Sequence, residues 1–285
     1  MSTSDREYVL QFTSPDRPGV LAAITGALFE AGCNVRDAAQ FGDPESQLFF
    51  VRMHVRTEGD VAAATLLRAL EPARTRLRLQ VECFDLAVKP RVLIAVSQHG
   101  HCLHTLLHKW QLGTLPCEIV GVVSNHETFR SLVQWYELPF HFLPVGNDRP
   151  AQERALLQLA RDQRTDLLVL ARYMQVLSAE ACAEFSGRCI NIHHSFLPGF
   201  KGAKPYHQAH ARGVKLIGAT AHYVTTDLDE GPIIEQDVRR VTHATTPEEM
   251  VELGRETEAS VLARAVRWHV EHRVVLNGGK TLVFE

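Results

Sequence analysis

The sequence predicts an α/β protein with two domains. Its 285 residues exceed the usual size of one domain. The first part of the chain alternates strand and helix patterns, whereas beyond residue 90 short, wholly apolar strands are separated by helices. Strands of this second kind are buried on both faces, which is typical of a mostly parallel sheet. We therefore predict domains at residues 1–86 and 87–285.

The first domain follows the order strand, helix, strand, strand, helix, strand. Residues 7–13 alternate as a strand, and an apolar helical pattern begins at Val20 and ends at Gly32. The turn between them offers Asp16 as a helix cap and Pro18 as a first helical residue. Further strands are predicted at 34–41, 47–55 and 77–86, with a helix at 60–74. This βαββαβ order predicts a ferredoxin-like, four-stranded antiparallel sheet with both helices on one face.

The second domain is predicted to be a mostly parallel, Rossmann-like sheet. Its strands are expected at 92–96, 118–123, 140–143, 166–171, 189–192, 217–224 and 233–241, and its helices from 101, at 127–137, at 151–163 and at 246–272. The last helix opens on Thr246-Pro-Glu-Glu249, a capping box with proline at the first helical position. Ligands of such sheets bind at the carboxyl ends of the strands. Asn191 and His193 lie at one such end.

Composition excludes several classes of function. The net charge of -3, with acids and bases interspersed, gives no basic surface for nucleic acid. No segment resembles a signal peptide or is long and apolar enough to span a bilayer, so we expect a cytoplasmic protein without membrane partners. Six cysteines without a CxxC pair indicate reduced thiols. The His99–His104 cluster lacks a carboxylate, so we expect no metal site.

Three polar residues near strand ends suit attack on a carbonyl carbon. Asn191 offers a neutral N–H donor for a developing oxyanion, and His193 offers an imidazole for proton transfer. The two are two residues apart and therefore share a face of an extended segment. Asp229 offers a carboxylate that can hold the imidazole protonated and orient a water. Asp227 is the other carboxylate that could play this role. Alternatively, Asp227 only stabilises a turn.

The stretch from Asn191 to Gly202, followed by the D-x-G-P stretch that begins at Asp229, resembles the folate-dependent formyltransferase superfamily. Its pattern is NxHxSxLPxxxG. The resemblance implies that Asn191, His193 and Asp229 are the catalytic residues, and that a folate lies across the segment 170–178 and the loop 225–229. The implied folate-binding residues are Met174, Gln175, Val176, Leu177, Thr225 and Asp227, of which Gln175 stands where relatives often carry arginine.

Within this superfamily the chain is similar to the hydrolytic branch, which releases formate from 10-formyltetrahydrofolate and returns tetrahydrofolate to one-carbon and purine metabolism. The alternative is a transferase with an amine acceptor such as glycinamide ribonucleotide. It would need a glycine- and serine-rich phosphate loop after the first strand, where this chain has the bulky Ser97–Cys102. His194 also replaces a proline common in transferases. A more remote alternative is a non-catalytic amino-acid and folate sensor. No cofactor beyond the folate substrate is implied.

The turn Asp16-Arg17-Pro18-Gly19, followed by Val20-Leu21, resembles the signature of the ACT domain. The resemblance implies a module that pairs sheets edge to edge, and hence a homo-oligomer. It also implies an amino-acid effector such as methionine or glycine, with Asp16, Arg17, Pro18, Gly19 and Asn34 as its binding residues. Free N–H groups at a helix start suit the effector's carboxylate. Alternatively, the turn is only a well-capped turn and the module serves oligomerisation alone.

Overall fold

The computed structural model describes residues 5–146, 148–199 and 205–285, so Lys201 and Gly202 of the formyltransferase pattern lie outside the described residues. The chain forms two compact units. One contains the residues up to Lys89 together with 272–277 and 283–285, and the other contains 90–271 and 278–282. The C-terminal residues are thus divided between the units, whereas the predicted limits assign them all to the second domain. Those limits, 1–86 and 87–285, stay a prediction.

The first unit has the predicted βαββαβ order. Its elements are β1 (Glu7–Pro15), α1 (Val20–Glu30), β2 (Cys33–Asp43), β3 (Leu48–Thr57), α2 (Ala63–Leu77) and β4 (Gln80–Asp85). The sheet order is β2-β3-β1-β4, with every neighbouring pair antiparallel. Alternate residues of β1, such as Leu10 and Phe12, pack with Ile24 of α1 and Leu66 of α2 in one hydrophobic core. The ferredoxin-like prediction is confirmed.

The start of α1 differs from the prediction. The helix begins at Val20, and its N-cap is Gly19, whose φ of 89° lies in the left-handed region that glycine adopts without steric cost. Within the described part of the chain, no side chain makes a capping hydrogen bond to this helix. The predicted cap at Asp16 and first helical position at Pro18 were therefore wrong. The Asp16 carboxylate instead lies beside Gly42, where an added Cβ would come within 2.9 Å of it.

The C-terminal residues 272–277 bind the face of the first unit's sheet that is opposite its core. The His272 carbonyl accepts hydrogen bonds from Gln11 Nε2 at 3.0 Å and from Arg52 Nε at 2.8 Å. The His272 ring stacks on Phe84 with 3.8 Å between centroids. Because these contacts come from β1, β3 and β4, the end of the chain is part of the first unit.

The second unit is built on a seven-stranded sheet with the order β11-β10-β9-β8-β5-β6-β7. Neighbours from β9 to β7 are parallel, whereas β10 is antiparallel to both β9 and β11. The strands are β5 (Arg91–Val96), β6 (Glu118–Ser124), β7 (Phe140–Phe142), β8 (Leu167–Leu170), β9 (Cys189–His193), β10 (Leu216–Tyr223) and β11 (Ile233–Arg240). The mostly parallel, Rossmann-like prediction is confirmed.

In the part of the chain that the structure describes, six helices follow β5, and two further strands end the chain. The helices are α3 (His101–Gln111), α4 (Arg130–Trp135), α5 (Arg149–Asp162), α6 (Ala179–Glu184), α7 (Pro205–Ala211) and, after β11, α8 (Pro247–Val270); the last strands are β12 (Val274–Asn277) and β13 (Lys280–Val283). The predicted capping box of α8 is present: Thr246 Oγ1 accepts from Glu249 N at 3.2 Å, and Glu249 Oε2 accepts from Thr246 N at 2.7 Å. Among the described helices, none has the length and hydropathy needed to cross a membrane.

Candidate functional site

His193 and Asp229 are in direct contact. His193 is the last residue of β9, and its Nδ1 lies 3.1 Å from Asp229 Oδ2. The His193 side chain is buried, and its Nε2 has no hydrogen-bond partner among the residues that the structure describes. A buried polar atom without a partner is unusual in a folded protein. This atom is therefore the place at which a substrate atom or a water completes the site.

A tight loop between β10 and β11 brings Asp229 to His193. The Tyr223 N–H donates to the Pro232 carbonyl at 2.9 Å and closes the base of the loop. Gly231 packs closely against Tyr223, and a Cβ added at Gly231 would lie 1.8 Å from the Tyr223 carbonyl oxygen. Asp229 itself has a φ of 57°, in the left-handed region that asparagine and aspartate tolerate best among residues with a Cβ. The loop conformation thus depends on glycine at 231.

Asp229 is held as a carboxylate. The hydrogen bond from His193 keeps the pKa of Asp229 well below its usual range. His222 Nε2 is 3.6 Å from Asp229 Oδ1 and lowers that pKa further when this nitrogen carries a proton. Partial burial acts in the opposite direction and is outweighed. Since a carboxylate only accepts hydrogen bonds, His193 Nδ1 must carry the proton between them. That tautomer directs His193 Nε2 away from Asp229.

His222 is a site residue that the sequence analysis did not identify. It lies directly opposite Asn191 in the antiparallel pairing of β9 and β10. His222 Nδ1 is 2.9 Å from the Tyr223 carbonyl, so this nitrogen carries a proton. His222 Nε2 is 3.3 Å from Asn191 Nδ2 and accepts one of the two amide N–H groups when the ring is neutral. The second N–H of Asn191 is then oriented for another acceptor. The available signal was a histidine within an otherwise apolar strand, seven residues before Asp229.

The chain that follows β9 is fixed by one hydroxyl group. Thr220 Oγ1 donates to the Ser195 carbonyl at 3.0 Å and accepts from the Leu197 N–H at 3.1 Å. Gln236 Nε2 donates to the same oxygen at 2.9 Å. Because Thr220 is opposite His193 in the β9–β10 register, this network anchors the backbone immediately after the histidine.

Asp227 is placed differently from Asp229. Its side chain is exposed, and its backbone carbonyl accepts a hydrogen bond from the Thr225 hydroxyl at 3.1 Å. That contact belongs to the turn at the start of the loop. The structure thus brings Asn191, His193 and Asp229 together around His222, and it assigns the direct contact with the imidazole to Asp229.

Two family models match different parts of the chain. Residues 90–266 match the family model described as formyl transferase, and residues 8–72 match the ACT domain model. A formyltetrahydrofolate deformylase of Bacillus subtilis is 46% identical over 278 residues, which are 96% of this chain and 93% of that protein. The chain belongs to the formyltetrahydrofolate deformylase family. It is an enzyme of the hydrolase class, as the sequence predicted.

Comparison with solved structures supports membership of the same family. The formyltetrahydrofolate deformylase of Burkholderia mallei is 50% identical, with a TM-score of 0.92, and the match covers 98% of this chain and 100% of that one. A glycinamide ribonucleotide transformylase of Symbiobacterium toebii is 28% identical, with a TM-score of 0.66 and coverage of 69% of this chain. Transferases are therefore distant neighbours of this deformylase family member.

The predicted folate-binding residues have mixed exposure. Met174 and Val176 are exposed apolar side chains, at 59% and 54% of their possible area. Leu177 is instead part of the hydrophobic core around β8, so little of it is available to a ligand. Gln175 is half-buried. A mostly apolar cavity of about 440 Å³ lies beside His194, and its described lining does not include the predicted folate-binding residues. Folate contacts at these positions stay a prediction.

Ser97 and His101, in and after the loop that follows β5, are already bonded within the protein. Ser97 Oγ donates to Asn125 Oδ1 at 2.6 Å and also contacts the Tyr173 carbonyl. His101 Nε2 is 2.7 Å from Glu258 Oε2. His101, Cys102 and Glu258 place ligand-type atoms within 4.8 Å of one another. Glu258 thus supplies a carboxylate to this cluster, contrary to the sequence analysis, which found none near it. Burial raises the pKa of the Cys102 thiol well above its ordinary value. The absence of a metal site stays a prediction.

The predicted effector residues do not all come together within the chain. Asp16, Arg17, Pro18 and Gly19 are exposed and follow the end of β1. Asn34 pairs with Arg56 in the β2–β3 register, and Arg56 pairs with Glu7 at the start of β1. The length of β1, about 25 Å at ~3.3 Å per residue, therefore separates Asn34 from the turn. An effector site that includes both would need a second copy of the chain.

Proposed function

We propose that this chain hydrolyses 10-formyltetrahydrofolate to formate and tetrahydrofolate with Asn191, His193 and Asp229 as its catalytic residues. The observation that carries the proposal is the orphaned Nε2 of His193, which is buried while Nδ1 is bound to Asp229. An imidazole fixed in this way presents one nitrogen to the substrate for proton transfer.

The reaction needs three actions from the protein. A water oxygen bonds to the formyl carbon, and the carbonyl oxygen takes up negative charge that the free N–H of Asn191 stabilises. The bond from carbon to N10 of the folate then breaks, and His193 Nε2 delivers a proton to N10 as that nitrogen leaves. The attacking water loses its protons to the basic groups of the site and to solvent, and formate is released as the anion. Asp229 holds the His193 tautomer throughout.

The folate is proposed to lie between the segment 174–177 and the loop that begins at Thr225. The exposure of Met174 and Val176 supports this placement, because apolar side chains exposed beside a polar site are the usual walls of a ligand pocket. Leu177 would contribute through its backbone, since its side chain is in the core. Gln175 and Asp227 are proposed as polar neighbours of the pterin. No cofactor is proposed.

Asp229→Asn should lower kcat for formate release by about a hundredfold, whereas Asp227→Asn should change it by less than about threefold. An asparagine amide at 229 can present a donor to His193 Nδ1 and disturb both the tautomer and the ring position. Among the described residues, the hydrogen bonds of Asp227 are made by its backbone carbonyl, which accepts from Thr225 Oγ1 and from the Glu230 N–H. The two variants remove one charge each from the same loop, so each controls for the other in steady-state assays of formate. Equal damage from both variants would show that the carboxylate was assigned incorrectly.

We further propose that the ACT unit binds a small amino acid and that the unit mediates self-association. The exposed turn at Asp16–Gly19, the free N–H groups at the start of α1 and the exposed edge strand β2 support this proposal. Methionine or glycine should change the deformylase rate and raise the midpoint of thermal unfolding, because a ligand that binds only the folded state stabilises it. The test measures the deformylase rate and the midpoint of thermal unfolding with each amino acid added in turn. Both measurements are repeated with Arg17→Ala, which alters one of the predicted effector residues. A flat response in both measurements would remove effector binding.

A further inference from the structure

A buried polar network lies outside the three catalytic residues and ends at Glu258 of α8. The Glu258 side chain is 2% exposed. Its Oε2 accepts a hydrogen bond from His101 Nε2 at 2.7 Å, and its Oε1 accepts one from the Tyr206 hydroxyl at 2.8 Å. Arg172 Nε lies 3.4 Å from Oε2 and forms an ion pair with it. Three separate segments thus converge on one carboxylate.

Glu258 is a carboxylate despite its burial. Burial acts to raise its pKa, but the hydrogen bond from His101, the charge of Arg172 and the hydrogen bond from Tyr206 outweigh it, so the pKa lies below the ordinary value. The fold makes room for this arrangement at Gly254, one turn earlier in α8, where an added Cβ would lie 2.1 Å from the Tyr206 ring. A buried charge with this many partners is costly to assemble. A role of the buried Glu258 charge in fixing its neighbours would explain why the fold bears this cost.

The network reaches the catalytic histidine through Arg172 and His194. Arg172 Nη1 is 2.5 Å from His194 Nδ1. A guanidinium only donates, so His194 Nδ1 is the acceptor and the ring is neutral, with its proton on Nε2. The His194 ring is stacked on the His193 ring, with 5.0 Å between centroids and 23° between planes. Arg172 also has a φ of 64°, a left-handed conformation that is costly for a residue with a Cβ.

Stacking on His194 fixes the plane of the His193 ring, which the hydrogen bond to Asp229 alone does not do. A single hydrogen bond at Nδ1 leaves the His193 ring free to tilt about the N–H···O direction, whereas a ring packed on its face fixes the plane. A neutral His194 also permits a positive charge on His193, because two imidazolium rings at this separation would repel each other. The negative charge of Glu258 balances the positive charge of Arg172. Each member of the network therefore favours one orientation of His193 Nε2.

We propose that Glu258 is a positioning residue for deformylation, acting through Arg172 and His194 to hold the ring of His193. The inference rests on the proposed function in one respect, namely that His193 transfers the proton. It assigns no contact between Glu258 and the substrate. It also explains why His101 is bonded within the protein and gives His194, which stands where transferases commonly carry proline, a direct part in fixing the site.

The test compares Glu258→Gln with a matched control, Glu235→Gln. Glu235 is also a largely buried carboxylate of this unit, and it accepts from Arg264 Nε at 2.9 Å. We expect Glu258→Gln to lower kcat for formate release by roughly tenfold or more with an unchanged KM, because a misplaced general acid slows chemistry and not folate binding. Glu235→Gln should leave kcat within about twofold. Thermal unfolding of both variants, measured in parallel, separates the kinetic effect from loss of folded protein.

A double-mutant cycle between Glu258→Gln and His194→Ala tests the route of the effect. If Glu258 acts through His194, the second substitution adds little to the first, whereas independent structural effects multiply. Multiplying effects, a rise in KM alone, or a kcat within about twofold of the unaltered chain would each overturn the proposal. Should Glu258→Gln fail to fold, Tyr206→Phe replaces it in the cycle, since it removes one donor and keeps the carboxylate. An unaltered chain that releases no formate would instead refute the proposed function itself.

Discussion

His193→Ala should lower kcat for formate release by about two to four powers of ten, the usual contribution of a positioned general acid or base. Its Nε2 is the buried nitrogen without a partner, and the scissile bond to N10 cannot break readily unless that nitrogen is protonated as it leaves. KM should change little, because the substitution removes a group that acts on the reacting atoms. The measurement is steady-state formate production by the purified variant, with folding checked by thermal unfolding.

The matched control is His243→Ala, which removes an exposed histidine from the loop after β11. It should leave kcat and KM within about twofold of the unaltered chain. A His193→Ala enzyme that keeps more than about a tenth of the rate would show that proton transfer to N10 uses another group.

Asn191→Ala should lower kcat by about two to three powers of ten, as expected on removal of a side-chain donor to an oxyanion. When the His222 ring is neutral, its Nε2 accepts one N–H of the amide at 3.3 Å, which orients the second N–H toward the substrate side. The charge on the formyl oxygen develops only as water attacks, so the loss should fall on kcat and leave KM nearly unchanged. Single-turnover measurements with excess enzyme would separate this chemical step from product release.

Asn191→Asp is the informative companion variant. It keeps the size of the side chain but replaces the donor with an acceptor that repels the oxyanion, so its kcat should be as low as that of Asn191→Ala or lower. An Asn191→Asp enzyme with substantial activity would mean that the amide serves only to pack against His222, and the oxyanion donor would then have to be found in the backbone.

The sequence indicated the positions of the proposed catalytic groups but not their partners. Asn191 and His193 could be placed on one face of a strand end because side chains alternate along a strand. Asp229 could be preferred over Asp227 only by resemblance, since both belong to one loop. The contact at 3.1 Å distinguishes them by geometry. His222 was not identified because its role depends on strand pairing, which places it opposite Asn191 from 31 residues away.

The residues behind the site were even less accessible to prediction. Glu258 lies in the middle of a 24-residue helix, and nothing in its local spacing distinguishes it from the other acids of α8. Its importance arises from His101, Arg172 and Tyr206, each contributed by a different element. Tertiary contacts of this kind carry no short-range signal, so a buried acid in a helix is indistinguishable in sequence from one on its surface.

The fold class was predicted correctly, but two short helices, the first residue of α1 and the unit that contains the C-terminal residues were not. Helices α6 and α7 have six and seven residues, too few for a helical period to become visible. α1 was expected to begin at Pro18 on sequence preferences, but the left-handed Gly19 delays it to Val20. The C-terminal residues were assigned to the second domain by their order along the chain, yet His272 binds Gln11 and Arg52 of the first unit.

The central claim is that water is the acceptor of the formyl group. The most direct measurement is formate and tetrahydrofolate release from 10-formyltetrahydrofolate by the purified chain, without an added amine. We predict equal amounts of the two products, abolished by His193→Ala. Absence of formate under these conditions, with turnover restored by glycinamide ribonucleotide, would contradict the account and establish a transferase.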